Sequence, residues 1–244
     1  VREHALKLRR IRVAHESVHK CSFFVCFIRY SDFRAHGRLT SHEENRDLGL
    51  LTWLDTFDDV QAFVTRHATA FFSHQWLARS SADPQGVHFR AMCAAAEALC
   101  REHAIEPSGL FLWIDTISIP QRNRIQQSMS ISTIGLYASV VRYFVVIAPT
   151  CRHDDSGALC DSETYQRRGW CRLEQWARMT VGGLQNMLLF DGVARENGEL
   201  ALILNDQKWY YDSIHVLQGD FTVEADKAKL VDTILGLWSI ALQN

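Results

Sequence analysis

Short apolar runs alternate with amphipathic helical patterns along most of the chain. Apolar residues between the runs recur every three or four positions, as they do on one face of a helix. Buried strands separated by helices are typical of a parallel sheet with helices on both faces. The sequence therefore predicts an α/β fold with a doubly wound, five-stranded parallel sheet. The predicted strands lie near residues 68–73, 110–115, 142–148, 186–190 and 213–218.

The first sixty residues show a different pattern, without this alternation. A strand is predicted near 22–28, a polar loop at 31–47 and a helix near 57–67. Residues 1–60 are therefore interpreted as an N-terminal extension packed on an α/β domain at 61–244.

Turn and cap residues mark the ends of several predicted helices. Asp83-Pro84 predicts the start of the helix after the first core strand. Residues 124–141 are interpreted as one helix, and Gly182-Gly183 predicts the end of the helix that carries Trp170. Thr222 is predicted to cap the last helix.

Composition and charge narrow the function classes. The 244 residues hold 26 Lys and Arg against 28 Asp and Glu, so the formal net charge is −2. We therefore expect neither nucleic acid nor a membrane as a partner recruited by charge. No apolar run approaches the ~18 residues of a membrane span. Seven cysteines, odd in number and irregularly spaced, favour a reducing, cytoplasmic location.

One stretch contains the residue types of a zinc site. Cys151, His153 and Cys160 could supply three ligands. The stretch lacks a CxxC pair and needs a fourth ligand from elsewhere, so the interpretation without a metal is preferred.

Polar residues follow two of the predicted strands. In a doubly wound sheet, ligands bind beyond the carboxyl ends of the strands, near the point where strand order reverses. Ser73-His74 with Asp115 suggests a Ser-His-Asp hydrolase, but neighbouring residues of an extended strand point to opposite faces. The sequence also has no G-x-S-x-G turn. A thiol nucleophile formed by Cys171 with His74 is disfavoured as well, because Cys171 is expected to pack inward.

Glu174 has two interpretations. It precedes Arg178 by four residues, the spacing of an ion pair on the surface of a helix. It also follows Trp170 by four, beside a large apolar side chain near the strand ends. A carboxylate there is partly desolvated, with a raised pKa, which is the usual state of a working carboxylate.

Three motifs resemble those of the TIR (Toll/interleukin-receptor) superfamily, in particular its TIR-like and heterokaryon-incompatibility (HET) members. They are FFSHQW, WIDTISIPQ and GWCRLE, in this order along the chain. The resemblance extends over about residues 66–190, is looser over 213–240, and leaves out residues 1–60. SHQW stands where plant TIR domains have SFRG.

The resemblance implies a flavodoxin-like fold and an NAD⁺-cleaving site. It matches Glu174 with the catalytic glutamate of plant TIR domains, and Trp170-Cys171 with the WC before it. Trp76 or Trp113 could stack on a planar ring of the substrate. NAD⁺ is then the substrate, and no cofactor or metal is expected. The substrate-binding residues implied are Ser73, His74, Trp76, Asp115, Ser118 and Trp170.

The function expected on this basis is an NAD⁺ glycohydrolase-type signalling domain that cleaves the nicotinamide–ribose bond. A fixed carboxylate beside the ribose can stabilise the oxocarbenium-like charge of the transition state. The resemblance further implies that activity depends on self-association. The alternative is a non-catalytic TIR-like module whose surfaces only mediate protein–protein contacts.

Overall fold

The computed structural model describes residues 2–17, 22–193, 203–204 and 207–242. The described chain forms a central sheet with apolar clusters on both of its faces. The sheet strands are β1 (Val25–Arg29), β2 (Leu51–Leu54), β3 (Ala68–His74), β4 (Leu110–Trp113), β5 (Tyr143–Ile147), β8 (Met187–Phe190) and β9 (Ile203–Leu204); β6 (Cys151–Arg152) and β7 (Leu159–Cys160) form a separate hairpin.

Helices connect most of these strands. A π-helical turn lies at Arg178–Gly182, and 3₁₀ turns lie at Pro107–Gly109 and Val216–Gln218. The helices are α1 (Arg2–Ser17), α2 (Tyr30–Ala35), α3 (His42–Asp47), α4 (Phe57–Arg66), α5 (Val87–Glu102), α6 (Asp115–Ser118), α7 (Arg124–Ser132), α8 (Ile134–Val140), α9 (Ser162–Arg167), α10 (Gly169–Ala177), α11 (Gln207–Ser213) and α12 (Asp226–Ala241).

The strand order is β2-β1-β4-β3-β5-β8-β9. β4, β3, β5 and β8 are parallel, which confirms the predicted parallel core at four of its five strands. β1 is antiparallel to β2 and β4, and β9 is antiparallel to β8. Counted along the chain, the parallel strands stand in the order 2-1-3-4, so strand order reverses between β3 and β5.

The fifth predicted strand, at 213–218, is wrong. Ser213 ends α11, and a 3₁₀ turn follows at Val216–Gln218. Val216 is buried in the core. The apolar pattern there reflects a buried turn, which short apolar runs cannot distinguish from a strand.

The N-terminal residues contribute directly to the sheet. The strand predicted near 22–28 is confirmed as β1, which lies inside the sheet between β2 and β4. The polar loop predicted at 31–47 is wrong, because α2 and α3 occupy it. Ser41 and Glu44 cap α3 reciprocally, so the polar residues of this stretch start a helix.

Two predicted helix starts lie too early. Asp83 precedes a helix that begins at Val87, but its carboxylate still accepts hydrogen bonds from the backbone N–H groups of His88 and Phe89, at 3.0 and 2.7 Å. Thr222 precedes α12, which begins at Asp226, and its hydroxyl accepts from Arg168 instead.

Two further helix predictions have mixed outcomes. The helix predicted at 124–141 divides into α7 and α8 at Thr133. The predicted stop at Gly182-Gly183 is confirmed, since Gly183 adopts a φ of 77° after the π-helical turn.

The alternation of side chains along β3 determines what its last residues meet. Phe71 belongs to the apolar cluster on the face of α8 and α10, whereas Phe72 belongs to the cluster on the face of α5. Ser73 and His74 continue this alternation and face opposite sides of the sheet. Over the described ranges, no helix has the length and apolar character to cross a membrane.

Candidate functional site

The carboxyl end of β3, beside the point where strand order reverses, gathers most of the predicted site residues. Ser73 and His74 are its last two residues, and Asp115 follows β4. Ser73 meets α9 and α10, while His74 meets α5 and Asp115. This position is where the general rule for doubly wound sheets places a ligand.

Ser73, Tyr165 and Glu174 form the first group, called here the glutamate cluster. The Ser73 hydroxyl donates a short hydrogen bond to Oε2 of Glu174 and lies 2.5 Å from the Tyr165 hydroxyl. Their exposed fractions are 1% for Ser73, 0% for Tyr165 and 7% for Glu174. The cluster is therefore closed from solvent, with Tyr165 of α9 contributing to its cover.

The environment of Glu174 favours its neutral form. Burial raises the pKa of Glu174 to about 8; the hydrogen bond from Ser73 opposes this shift, and the charge of Asp115 adds to it. Glu174 is thus mainly protonated at neutral pH. A cation bound beside it would favour the carboxylate and release the proton.

His74, His88, Asp115 and Trp76 form the second group, called here the histidine cluster. Nε2 of His74 lies 3.0 Å from Oδ1 of Asp115, and the Trp76 indole donates to Oδ2 at 2.6 Å. Burial alone would raise the pKa of Asp115, but His74, Trp76 and the backbone N–H of Thr116 hold it below its ordinary value. Asp115 is therefore ionised.

The two histidines face each other through their Nδ1 atoms, 3.0 Å apart. Burial and the neighbouring His74 hold the pKa of His88 well below its ordinary value, so His88 is neutral. Because Asp115 is ionised, Nε2 of His74 carries the proton that points at it. Nε2 of His88 is buried and has no hydrogen-bond partner in the described part of the chain.

The two clusters hold carboxyl groups in opposite states. Glu174 is neutral at pH 7 and Asp115 is ionised, although the charge of Asp115 acts on Glu174. Environments that separate the pKa values of two carboxyl groups are typical of acid–base and electrostatic sites.

Five predicted site residues therefore lie in the two clusters: Ser73 with Glu174, and His74 with Trp76 and Asp115. Ser118 does not join them. It is 1% exposed, and its hydroxyl accepts a hydrogen bond from the Ile114 N–H within the turn of α6. In this closed structure Ser118 is bonded within its own turn, and its predicted contact with a substrate stays a prediction.

The two other tryptophans proposed near the substrate have apolar partners. Trp170 is half-buried and packs edge-to-face on Phe221, with the ring centroids 6.3 Å apart. Trp113 is fully buried and stacks on Phe71 at 4.2 Å. The expectation that Trp113 stacks on a substrate is wrong, whereas the half-buried Trp76 keeps part of its ring exposed.

The surface-pair interpretation of Glu174 is also wrong. Arg178 is 5% exposed and donates hydrogen bonds to the backbone carbonyls of Val141 and Gln185, at 2.7 and 2.8 Å. Burial lowers the pKa of Arg178 to about 10. Arg178 therefore supplies hydrogen bonds to backbone carbonyls that follow α8 and precede β8, and its role is not to neutralise Glu174.

Sequence reasoning missed Tyr165 and His88. Tyr165 lies between the strand predicted at 142–148 and the helix that carries Trp170, where no helix was predicted, yet Asp161 and Thr164 form a reciprocal cap there that starts α9. That cap spacing is readable from sequence. His88 precedes Met92 by four residues on the buried face of α5, which was the available signal for its burial.

No group of three or more His, Cys, Asp or Glu side chains in the described residues is arranged to hold a metal ion. A scan against protein-family models finds no matching family, and searches of curated proteins and of solved structures find no match either. Function is therefore inferred from the geometry of the two clusters and from the motif resemblance.

Proposed function

We propose that the chain is a TIR-like NAD⁺ glycohydrolase with a flavodoxin-like fold, and that Glu174 is its catalytic residue. The observation that carries this proposal is the buried Glu174, held by Ser73 at the carboxyl end of β3. The strand order of the parallel core and the proximity of Asp115 give further support.

In this reaction the nicotinamide–ribose bond breaks heterolytically. The bonding electron pair moves to the nicotinamide nitrogen, which becomes neutral, and the ribose gains oxocarbenium character. Water then adds to the ribose carbon and loses a proton. Glu174 is the group that stabilises the positive ribose, since a preorganised carboxylate in a desolvated site acts strongly on developing charge.

The raised pKa of Glu174 fits a cationic substrate. A buried carboxylate that is ionised without a bound cation costs free energy, so Glu174 is protonated in the absence of substrate. The positive nicotinamide ring of NAD⁺ favours the carboxylate, so binding releases the proton and creates the charge where it is needed. Asp115 and Trp76, which are less buried than Glu174, would meet the substrate first.

Access to Glu174 requires movement of α9. Tyr165 on that helix touches Ser73 and is fully buried with it. The same closure favours a second candidate function, the non-catalytic interaction module. In that case the glutamate cluster only specifies how α9 and α10 pack on β3.

The test is incubation of the pure protein with NAD⁺ and chromatography of the products. We expect free nicotinamide with an ADP-ribose product, and a loss of ~10²-fold or more in Glu174→Gln. Glu163→Gln, the same change on an exposed residue of α9, is the matched control and should retain the wild-type rate. Absence of cleavage at every protein concentration would favour the interaction module. Wild-type cleavage by Glu174→Gln would exclude the catalytic role.

A further inference from the structure

The hairpin of β6 and β7 brings two cysteines face to face. Cys151 and Cys160 are direct partners in its antiparallel register. Opposed residues of such a pair project to the same side, with Cβ atoms ~4.5–5.5 Å apart. A disulfide needs Cα atoms ~4.4–6.8 Å apart and slightly closer Cβ atoms, so a small adjustment closes it.

The other described cysteines lack such an arrangement. Cys93 and Cys100 are seven residues apart on α5, which separates them by ~10 Å along the helix. Cys26 lies in the interior of β1 and Cys171 is buried on α10. Cys151 is only half-buried, so a small molecule can reach it.

We propose that Cys151 and Cys160 are a thiol–disulfide modification site, oxidised by a small-molecule disulfide of the glutathione type. The Cys151 thiolate attacks one sulfur of the oxidant and releases one thiolate, leaving a mixed disulfide. The Cys160 thiolate then attacks the Cys151 sulfur and releases the second. The two cysteines lose two protons and two electrons, and the oxidant is reduced to two thiols.

Burial and the surrounding charges make this site slow at neutral pH. Burial raises the pKa of Cys151 to about 11, with further contributions from Cys160, Asp83 and Asp161. Burial and Asp161 also raise the pKa of Cys160, while Arg168 opposes the shift. Since the thiolate is the attacking species, oxidation should speed up by about tenfold per pH unit below the thiol pKa.

The hairpin is tied at its tip to the segment that follows β3. The backbone N–H of Asp154 donates to the carbonyl of Leu77 at 2.6 Å, and the Asp155 carboxylate accepts from the N–H of Arg79 at 2.7 Å. The hairpin therefore moves with the chain that carries Ser73 to Trp76.

The base of the hairpin leads directly into α9. Asp161 caps that helix one residue after Cys160, and Gln75 donates to Thr164 at 3.0 Å. A disulfide would fix the start of α9 near the end of β5 and hold Tyr165 over Glu174. This consequence rests on the proposed function: oxidation closes the site and lowers NAD⁺ cleavage.

The experiment is incubation of the reduced protein with oxidised glutathione over a pH series, followed by intact-mass measurement and peptide mapping. We expect a mass lower by two hydrogen atoms and a crosslinked peptide pair holding Cys151 and Cys160. The melting temperature should rise by on the order of 5 °C. Cys160→Ser should stop at the glutathione adduct of Cys151, and Cys93→Ser should behave as wild type. A protein that stays reduced, stops at the adduct or crosslinks another pair would overturn the proposal.

A parallel NAD⁺-cleavage assay separates the two proposals. If the disulfide forms and cleavage falls in wild type but not in Cys160→Ser, the coupling to α9 is supported. If the disulfide forms and cleavage is unchanged, the coupling is wrong and the modification site stands. If the reduced protein shows no cleavage at all, the proposed function fails, and the mass result still decides the modification site.

Discussion

Glu174 is the residue at which folding and the proposed chemistry make opposite demands. Folding favours the neutral acid, because burial raises the pKa to about 8 against an ordinary value of 4.5. The proposed catalysis requires the carboxylate. The ionisation of this one side chain should therefore make both the stability of the protein and its reaction with a cationic substrate depend on pH, and each dependence can be measured.

The stability of the protein should depend on pH through Glu174. The folded pKa is raised, so protonation stabilises the fold; this contribution is full below about pH 4.5 and is lost as pH rises toward 8. Within that window the expected slope is about 1.4 kcal/mol of unfolding free energy per pH unit. Glu174→Gln should remove this component and be at least as stable as wild type above pH 8. Urea titrations at several pH values measure it.

Glu163→Gln is the control for that measurement, because Glu163 is exposed. It should keep the wild-type slope. Identical slopes in wild type and Glu174→Gln would show that the pKa of Glu174 is not raised.

The pH dependence of catalysis should follow the same ionisation. If the carboxylate form of Glu174 is active, kcat/KM for NAD⁺ rises about tenfold per pH unit and levels off near pH 8. Steady-state kinetics over a pH series tests this. A profile that is flat from pH 6 to pH 8 would contradict the assignment, since the free enzyme would then not need to lose this proton.

At the scale of elements, the start of α10 depends on close packing against the chain before α12. The N–H of Gly169 donates to the carbonyl of Asp220 at 3.0 Å, and a Cβ at Gly169 would overlap the Phe221 ring. The segment 219–221 therefore holds the helix that presents Glu174.

Gly169→Ala should destabilise the protein by about 1–3 kcal/mol, because the added methyl group overlaps the Phe221 ring. Gly109→Ala is the matched control, because its added methyl group would have no heavy atom within 4 Å and its backbone is not left-handed. Thermal unfolding measures both. Adding Phe221→Ala should recover part of the loss, since the two sites are in contact. A Gly169→Ala variant as stable as wild type would show that the start of α10 and the segment 219–221 separate easily.

At the scale of the whole molecule, the segment after β4 is held by the N-terminal residues. The backbone N–H groups of Gln121 and Arg122 donate to Glu43 of α3, at 2.9 and 2.8 Å. Burial opposes ionisation of Glu43, but these donors hold its pKa below the ordinary value. If the chain functions as proposed, the TIR resemblance predicts that this segment completes the pocket of a neighbouring copy when the domains associate.

Specific NAD⁺-cleaving activity should therefore rise with protein concentration. The dilute protein is expected to be nearly inactive, because by the proposed function each pocket is complete only when a neighbouring copy contributes the segment after its β4. Initial rates across a dilution series, paired with light scattering, measure this dependence. Constant specific activity from dilute to concentrated protein would contradict it.

The sequence alone determined the parallel core and the residues around its strand ends. Four strands were predicted correctly because strands buried on both faces are apolar throughout, as in AFF of β3 and YFVVI of β5. Ser73 and Asp115 were selected because ligand sites lie at the carboxyl ends of such strands, and Glu174 was selected by its spacing from Trp170 and by the resemblance of GWCRLE to a TIR motif. The local sequence pattern is enough to predict the strands, because the spacing and the apolar character of the residues follow directly from which positions are buried.

The remaining features could not be predicted from the sequence, because desolvation and contact depend on residues that are distant along the chain. The tertiary structure showed that 213–218 is a turn, that β1 and β2 join the sheet, and that Trp113 is core. It placed Tyr165 beside Ser73, 92 positions earlier in the chain. The raised pKa of Glu174 is one such feature, because the burial that causes it requires α9, α10 and β3 together. No local stretch of sequence encodes the loss of water around a single carboxyl group.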